Sequence, residues 1–386
     1  MIELDDRLLA LRAEARRFGD DLRAHALDLD EDPDAIYRLV DLPGISYLAT
    51  TLIPPRYQPA PQRVGSHRFY GMCCLERVIA LEELARGDAG ALLAAPGPSL
   101  SGVLVNELAD DEQKEWYYGE LCARPTWTCF ALTEPDHGSD AGALNTTITR
   151  SEEDRGWRLN GAKRYIGNGV RASIGVVIAR RSSGPLGITA AIVDTGAPGF
   201  HADVIQTSGL RAARLSALSF TDVPIPADRI LGRHLPASRR GMRGVTRTFN
   251  QLRPGVAALA VGVAGAALDY VKVNRRTLSS IQRHELQVLE MRVAAARELV
   301  YRAAIAVDAD ADDGSLGSAA KARAASLAEQ VTLVAPRFFG IGARLEHPMI
   351  DKLARDARGF EFMEGTSNVQ KLTLFQGYLK GKASHV

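Results

Sequence analysis

Residues 157–166 read Trp157-Arg-Leu-Asn-Gly-Ala-Lys-Arg-Tyr-Ile166, an alternating segment that predicts a β-strand, with an Asn-Gly turn signal at positions 160 and 161. Three more short runs rich in β-branched side chains follow, at 174–179, 188–193 and 217–223. Turns rich in glycine and proline separate these runs, and no helix-length segment lies between them. We therefore expect an antiparallel sheet, closed into a small barrel or sandwich, rather than a parallel α/β unit.

Helical patterns flank this β-segment on both sides. Before it, apolar residues recur at helical spacing from Leu8 onward, and a second helix is stopped or interrupted at Gly87-Asp88. The proline-dense segment 54–61 cannot be helical, so we expect an extended loop there. After the β-segment, runs with short connections are long enough for several helical turns, which is typical of an antiparallel bundle: 245–275, 285–309 and 317–334.

The expected fold class is α+β, mostly α, and a chain of 386 residues is long enough for two or three domains. We expect an N-terminal helical domain at 1–126, a central antiparallel β-barrel or β-sandwich domain at 127–235, and a C-terminal helical bundle at 236–386.

The overall composition excludes several classes of protein. Hydrophobic residues make up 46% of the chain and charged residues 24%, which argues against wholesale disorder. A formal net charge of +1 argues against a nucleic-acid binder. The four cysteines have no metal-ligand spacing, so we expect reduced thiols in the cytoplasm and no metal site. No signal-peptide pattern is seen, and the apolar stretch 254–268 is too short to span a bilayer, so we expect a buried helix and no membrane association.

The first segment with chemical potential is Phe130-Ala-Leu-Thr-Glu-Pro-Asp-His-Gly-Ser-Asp140. It predicts a strand that ends at Thr133 and leads into a polar turn. Backbone N–H groups and hydroxyls at Gly138 and Ser139 can hydrogen-bond the edge of a flat heterocycle or a phosphate. Taken alone, an ordinary polar turn is the simpler interpretation.

The second segment is Asn160-Gly-Ala-Lys-Arg-Tyr-Ile-Gly-Asn-Gly169, which predicts a hairpin turn, a strand and a second glycine turn. Tyr165 either belongs to the core or lies flat against an aromatic cofactor. Gly167 and Gly169 would allow another group to approach the backbone closely.

The third segment is Asp356-Ala-Arg-Gly-Phe-Glu-Phe-Met-Glu-Gly-Thr-Ser-Asn-Val-Gln370, in which Glu364 follows an aromatic stretch and precedes a glycine. A carboxylate in apolar surroundings has a raised pKa, which suits a general base that must remove a weakly acidic C–H proton. Alternatively, Glu364 is only a favourable charge at the start of a helix that Thr366 or Ser367 caps.

Together, these segments and the helix–strand–helix order resemble the acyl-CoA dehydrogenase family over nearly the whole chain. The resemblance implies an N-terminal helical domain, a central antiparallel β-domain and a C-terminal four-helix bundle, with FAD bound between them. By resemblance, the FAD contacts would be made by Phe130, Leu132, Thr133, Gly138, Ser139, Tyr165, Gly167, Thr366 and Asn368.

The resemblance also implies a mechanism. Glu364 would remove the α-proton of an acyl thioester while the β-hydrogen leaves as hydride to the flavin, and the backbone N–H of Glu364 would polarise the thioester carbonyl. A minority of members carry the base on the helix of Arg253, but its neighbour here is Leu252, which cannot act as a base. The substrate contacts implied are Ser139, Asn250, Arg253 and Gly365.

The sequence departs from the family pattern at the FAD site. Gly167 replaces a threonine whose hydroxyl often hydrogen-bonds near flavin N5. The family's Arg-x-x-Phe-Gly segment has become Arg-Arg-Thr-Leu-Ser at 275–279, and its Gln-x-x-Gly-Gly-x-Gly segment begins with proline at 336–342. In these two segments, the resemblance implies that Arg276 and Gly340 contact the FAD of a neighbouring subunit.

The same resemblance implies the partners: an acyl-CoA or acyl carrier protein substrate, an electron-transferring flavoprotein or another acceptor, and a homodimer or homotetramer. The loop 54–65 lacks a glycine pair that many members carry, which favours an unusual acyl group and a role in specialised metabolism. Two alternatives remain open, a flavin-dependent monooxygenase on the same fold and a flavin-binding protein without turnover. The presence of Glu364 argues against both.

Overall fold

The computed structural model describes residues 2–152 and 155–379. Helices dominate the N-terminal part, in which one short hairpin lies between the third and fourth helices. The elements are α1 (Asp6–Ala24), α2 (Ala26–Glu31), α3 (Pro43–Thr50), β1 (Gln62–Val64), β2 (His67–Phe69), α4 (Cys74–Ala94), α5 (Ser99–Leu108) and α6 (Asp111–Ala123). The proline-dense segment before β1 is non-helical, as expected.

A sheet and a second set of helices complete the fold. The strands are β3 (Thr128–Ala131), β4 (Thr147–Arg150), β5 (Trp157–Ile166), β6 (Ile174–Arg180), β7 (Ile188–Asp194), β8 (Phe200–Val204) and β9 (Ser216–Ile225). The helices that follow are α7 (Met242–Asn274), α8 (Ser280–Ala309), α9 (Ser315–Val334), α10 (Ala343–Glu346), α11 (Pro348–Ala357) and α12 (Ser367–Leu379). The expected order of helices, sheet and helices is confirmed, whereas the domain borders at 126 and 235 stay predictions.

Capping residues explain where two of the helices begin. In α6, Asp110 and Gln113 form a capping box, in which each side chain accepts a hydrogen bond from the other residue's backbone N–H. Ser279 and Gln282 form the same motif in front of α8. The helix therefore begins at Ser280, five residues before the start that its apolar pattern predicts.

Helix α4 is interrupted at Asp88, as the Gly-Asp pair predicts. Asp88 has a non-helical backbone (φ −155°, ψ 111°) in the middle of the helix. Its carboxylate accepts hydrogen bonds from the N–H groups of Gly90 (3.1 Å) and Ala91 (3.2 Å), which restart the helix. Lys352 of α11 donates a third hydrogen bond to it at 2.5 Å, which ties α4 to the C-terminal part of the chain.

The sheet has the order β3-β6-β4-β5-β9-β8, and β7 pairs with β6. The pairs β5–β9, β8–β9 and β6–β7 are antiparallel, but β3 runs parallel to β6, and β4 meets β6 in parallel at Thr147 and Arg180. The expectation of a purely antiparallel sheet is therefore wrong, because the sheet is mixed. In the chain, the connection from β3 to β6 consists of the β4–β5 hairpin instead of a helix. These two strands can therefore pair in parallel without a helical crossover.

The Asn160-Gly161 pair is not a turn, contrary to the sequence-based prediction. It lies inside β5, where the pairing with β9 shifts register between Leu159 and Gly161. Gly161 has φ +139°, and a Cβ there would lie 2.7 Å from the Cα of Thr146. The glycine therefore permits a β-bulge and a close approach of the neighbouring strand.

Helix α7 runs through the middle of the molecule and packs against α4, α8 and α9. All of its residues from 253 to 268 are buried, which confirms the prediction of a buried helix. By length and composition, the stretch 237–274 could also cross a membrane, but 78% of its apolar window is buried inside the protein. Helix α12 packs on α9 and completes the C-terminal bundle. Its first residue follows directly on the turn that carries Glu364.

Candidate active site

Glu364 lies on a tight turn immediately before α12. Glu364 and Gly365 both have left-handed backbones, with φ of +52° and +97°. Gln370, one turn into α12, donates hydrogen bonds from Nε2 to the carbonyls of Glu364 (2.9 Å) and Gly365 (3.0 Å). The turn is therefore held by side chain to backbone bonds that offset its backbone strain.

The carboxylate of Glu364 is the unusual group of this turn. Among the described residues, its Oε2 atom is buried and has no hydrogen-bond partner. Burial raises the pKa of Glu364 to about 7, although the positive charges of Arg253, Lys321 and Arg77 act to lower it. The direction of this shift agrees with the raised pKa expected from the sequence, and a group with a pKa near neutral suits general base catalysis.

A different carboxylate occupies the start of α12. Glu361 accepts hydrogen bonds from the backbone N–H of Ser367 (2.9 Å) and from its hydroxyl. Glu361 therefore caps α12 without help from Glu364, and the assignment of Glu364 as a base rather than a helix-start charge stays a prediction. Within the described residues, the backbone N–H of Glu364 also makes no hydrogen bond, which leaves it available to a ligand.

Arg253 of α7 is brought to the Glu364 turn. Its Nε atom lies 3.5 Å from the Glu364 carbonyl, and its Nη1 donates to Oδ1 of Asn250 at 2.8 Å. Asn250 in turn donates from Nδ2 to the carbonyl of Ala311 at 3.2 Å and is 3% exposed. The structure thus places Asn250 inside the protein, where its side chain orients Arg253. These bonds use one N–H and one lone pair of the amide, and burial leaves Asn250 little access to a substrate.

An aromatic contact links this region to the strand β3. Phe130 packs edge-on against Phe249 of α7, with ring centroids 5.8 Å apart. The Arg253 guanidinium lies 5.8 Å from the centroid of the same Phe249 ring. The first and third sequence segments, about 230 residues apart in the chain, therefore meet through α7.

The turn after β3 is built around two residues that sequence reasoning did not single out. The buried Glu134 accepts hydrogen bonds from the backbone N–H groups of Asn145 (2.6 Å) and Thr146 (2.8 Å), and from Lys163 Nζ at 3.0 Å. Burial opposes its ionisation, but these donors lower the pKa of Glu134 to about 2. Lys163 also donates to the carbonyl of Leu132 at 2.9 Å. An inward-facing lysine in an otherwise alternating strand is the signal that could have revealed the pair.

This framework leaves the tip of the turn open. The strand ends at Ala131 rather than at Thr133, and the Thr133 carbonyl accepts the N–H of Arg164 at 2.8 Å. Gly138 and Ser139 are both exposed. Their backbone and hydroxyl groups are therefore accessible to a ligand, as the sequence predicted.

Tyr165 is not a core residue. Its side chain is 55% exposed and its backbone is left-handed, with φ +62°. Nearby, a Cβ added to Gly167 would meet no described atom within 4 Å. An exposed ring beside open space fits a flat ligand laid against this strand.

The remaining predicted contacts lie around the C-terminal bundle. Thr366 and Asn368 stand at the start of α12, where Thr366 is partly buried and Asn368 exposed. Gly340 is exposed in the turn before α10, with φ +96°. Arg276 is also exposed, whereas its neighbour Arg275 has a buried Nε with no partner among the described residues. Arg275 also holds the first position of the motif at 275–279, so it is the better candidate for an anion contact.

These features fit the FAD expected from the sequence. Tyr165 and the space beside Gly167 suit the flat ring system, and the exposed Gly138-Ser139 turn offers donors to its polar edge. Arg275 retains a donor for a phosphate or ribose. We judge the fit of FAD to the site from polar groups that are exposed or that have no hydrogen-bond partner among the described residues.

Comparisons with known proteins show the family of the chain. The family model of the acyl-CoA dehydrogenase middle domain matches residues 129–223, and that of the acyl-CoA dehydrogenase C-terminal domain matches residues 239–379. A short-chain-specific acyl-CoA dehydrogenase of Clostridium acetobutylicum is 35% identical over 315 residues, covering 78% of this chain and 81% of that protein. An NADH-dependent acryloyl-CoA reductase of Anaerotignum propionicum is 30% identical over 318 residues, covering 79% and 80%.

The fold agrees with a solved relative of the same kind. The structure of butyryl-CoA dehydrogenase from Megasphaera elsdenii superposes with a TM-score of 0.84 at 28% identity, covering 98% of this chain and 100% of that one. The family models together span well over half of the chain, and the C. acetobutylicum relative covers more than two thirds of it. The protein is a member of the acyl-CoA dehydrogenase family.

Proposed function

We propose that this protein dehydrogenates the Cα–Cβ bond of an acyl thioester, with Glu364 as the base that removes the α-proton. Membership of the family makes it an oxidoreductase acting on CH–CH groups, with FAD as its cofactor. The observation that carries the assignment of the base is the Glu364 carboxylate. Its Oε2 atom is buried without a partner among the described residues, and burial raises the pKa of the group to about 7.

The chain's own groups explain how the reaction would proceed. The ionised Glu364 takes the α-proton, and burial makes its protonated form easy to reach near neutral pH. The free backbone N–H of Glu364 donates to the thioester oxygen as negative charge develops there. Arg253 lies against the carbonyl of Glu364, so its positive charge stands close to both the carboxylate and the backbone N–H of that residue. FAD, when bound, supplies the acceptor for the hydride that leaves the β-carbon.

The FAD would be held by residues from both halves of the site. On the β-side we propose Phe130, Leu132, Thr133, Gly138, Ser139, Tyr165 and Gly167. At the helical bundle we propose Thr366 and Asn368, and for a neighbouring subunit Gly340 and Arg275 in preference to Arg276. The buried Nε of Arg275 supports that preference, because an unpartnered guanidinium N–H is costly unless a ligand satisfies it.

The substrate is an acyl thioester, and acyl-CoA is our first choice for its carrier because the curated relatives are named for acyl-CoA substrates. Of the implied substrate contacts, Arg253 and Gly365 adjoin Glu364, and Ser139 is exposed on the turn after β3. Asn250 is 3% exposed and is bonded to Arg253 and Ala311, so we propose that it orients Arg253 rather than contacting the substrate. The carrier is therefore best decided by an experiment that compares acyl-CoA with acyl carrier protein substrates.

We also propose that the protein works as a cytoplasmic homodimer or homotetramer and passes its electrons to an electron-transferring flavoprotein. Support for the oligomer comes from large apolar side chains that are more than half exposed near the C-terminus, namely Ile341, Leu345, Phe362, Leu372, Phe375, Tyr378 and Leu379. All of them follow Gly340 in the chain, the residue that we expect to contact the FAD of a neighbouring subunit.

The proposal is tested by mixing the purified, FAD-loaded protein with acyl-CoA or acyl carrier protein thioesters of the same acyl groups, without oxygen or NADPH. Bleaching of the flavin absorbance and formation of the enoyl thioester support dehydrogenation, and the faster arm identifies the carrier. A flavin that stays oxidised with every thioester, but is reduced by NADPH and a reductase and then consumes oxygen, would instead support a monooxygenase.

A further inference from the structure

Lys321 is a buried cation beside the Glu364 turn. It lies on α9, and the whole residue is 0% exposed. Its ammonium donates hydrogen bonds to the carbonyls of Glu361 (2.8 Å) and Gly365 (2.6 Å). Among the described residues, Lys321 forms no direct ion pair, although the charges of Glu361 and Glu364 act on it. A lysine is rarely buried without an ion-pair partner, because the loss of hydration is costly.

The two carbonyls that Lys321 binds stand on either side of Glu364. The ammonium therefore bridges the turn from residue 361 to residue 365, at the base of the catalytic carboxylate. Gln370 binds the carbonyls of Glu364 and Gly365 from α12. Gln370 is neutral, so the two residues provide similar hydrogen bonds to one turn but only one of them provides a charge.

We propose that Lys321 is a positioning residue for Glu364, whose ammonium fixes the shape of the 361–365 turn and favours the ionised form of the base. The inference rests on the proposed role of Glu364 in acyl thioester dehydrogenation. The site residues described so far lie on α7, near α12 and on the sheet. With Lys321, helix α9 would also contribute to the reaction.

The charges around Glu364 are consistent with this role. Arg253 from α7, Lys321 from α9 and Arg77 from α4 all favour its ionised form. Burial lowers the pKa of Lys321 to about 8, although Glu361 and Glu364 oppose that shift. Lys321 is therefore mostly protonated at pH 7, at the middle of the range in which Glu364 loses its proton. Arg77 is already bound to the carbonyls of Gly71, Met72 and Gln251, and Arg253 to Asn250.

The test compares Lys321→Met with Gln370→Met in the FAD-loaded protein. Each variant removes two hydrogen bonds to the turn, but only Lys321→Met removes a charge. We expect Lys321→Met to move the acidic limb of the kcat–pH profile upward by about one pH unit, because the ionised base loses a nearby cation. That shift alone would lower kcat at pH 7 about fivefold. Gln370→Met is expected to lower kcat without moving the limb.

A spectroscopic measurement makes the result independent of turnover. The C=O stretch of protonated Glu364 is followed by infrared difference spectroscopy over pH, and is assigned as the band that Glu364→Gln removes. The band's midpoint should rise in Lys321→Met and stay in place in Gln370→Met. An unchanged midpoint in Lys321→Met, or equal shifts in both variants, would overturn the inference.

The design also separates the two proposals. If the wild-type flavin is not bleached by any thioester, the proposed function fails, while the infrared midpoints still decide the role of Lys321. If Lys321→Met does not fold, Lys321→Gln is used, since it keeps a donor but no charge. If neither lysine variant folds while Gln370→Met does, Lys321 is a stability residue and the inference is wrong.

Discussion

Glu364 combines a left-handed backbone, a carboxylate whose buried Oε2 has no partner among the described residues, and a backbone N–H without a hydrogen bond; the two polar groups cost stability unless a ligand satisfies them. In a well-packed protein such features tend to gather where chemistry occurs. Here they lie on one residue, whereas its neighbour Glu361 performs the ordinary structural task of capping α12. This division of work between two glutamates three residues apart supports the assignment of the base.

The first prediction concerns Glu364→Gln. The variant should keep its yellow FAD but lose dehydrogenation by about three orders of magnitude, because an amide cannot accept the α-proton. In the wild type, kcat should rise with pH through about 7, since the folded-state pKa is raised and only the ionised base acts. The measurement is anaerobic flavin bleaching against pH, with the exposed Glu346→Gln as a control that should behave as wild type. Full activity in Glu364→Gln would rule out the base assignment.

At the scale of single residues, the sequence could single out Glu364 because its aromatic flank and following glycine are local features, and its role as the base stays a prediction. It missed Glu134 and Lys163, whose pairing depends on β3 and β5 lying side by side. It also could not show that Asn250 points into the protein, because the loop that holds it, near Ala311, is about 60 residues away. Contacts of this kind are set by packing rather than by local pattern.

The turn after β3 depends on β5 for its shape, which leads to a prediction for the Glu134–Lys163 pair. Lys163→Met should weaken FAD binding and destabilise the fold by about 3 kcal/mol, because it leaves a buried carboxylate without its cation. Adding Glu134→Leu should recover part of that loss, since no unpaired charge then remains. A double-mutant cycle with urea unfolding and FAD titration measures both effects. Additive losses of stability in the double variant would show that the two residues act independently.

At the scale of elements, the sequence predicted the types of the segments better than their ends and pairings. The range expected for α8, 285–309, follows its apolar pattern alone and takes no account of the capping box at Ser279, so its start is five residues late. The Asn160-Gly161 signal indicated a turn, yet the same left-handed freedom of glycine also serves a bulge within a strand. The parallel pairing of β3 with β6 depends on the path of the chain between them, which no local pattern specifies.

The three parts of the molecule meet at a buried ion cluster. Lys352 of α11 donates to Asp88 (2.5 Å) and Asp356 (2.6 Å), and each of the three side chains is at most 3% exposed. Asp356 also accepts the N–H of Leu210, which lies between strands β8 and β9, at 2.6 Å. The cluster thus joins the break in α4, the C-terminal helices and the β-region. Nearby carboxylates raise the pKa of Lys352 despite its burial, so it stays charged.

We predict that Lys352→Met destabilises the protein by about 3–5 kcal/mol, because two buried carboxylates lose their shared cation. The loss should be measured by urea unfolding at pH 7. Lys272→Met is a matched control, since Lys272 forms partly exposed ion pairs with Asp269 and Glu290 and should cost less than about 1 kcal/mol. If both variants lost the same stability, the cluster would have no special role in joining the three parts.

The largest scale is the assembly of several copies of the chain. The exposed apolar side chains after residue 340 include Phe375, at 58% exposure. We expect the wild type to elute as two or four copies, and Phe375→Glu to shift towards smaller species with weaker FAD retention, because a charge would have to be buried in the interface. Light scattering coupled to size exclusion, with flavin absorbance recorded in parallel, measures both. Leu186→Glu, at a side chain 67% exposed beside the sheet, is the control and should leave assembly unchanged. A monomeric wild type that retains FAD would contradict the proposed oligomer and the cross-subunit contacts at Gly340 and Arg275.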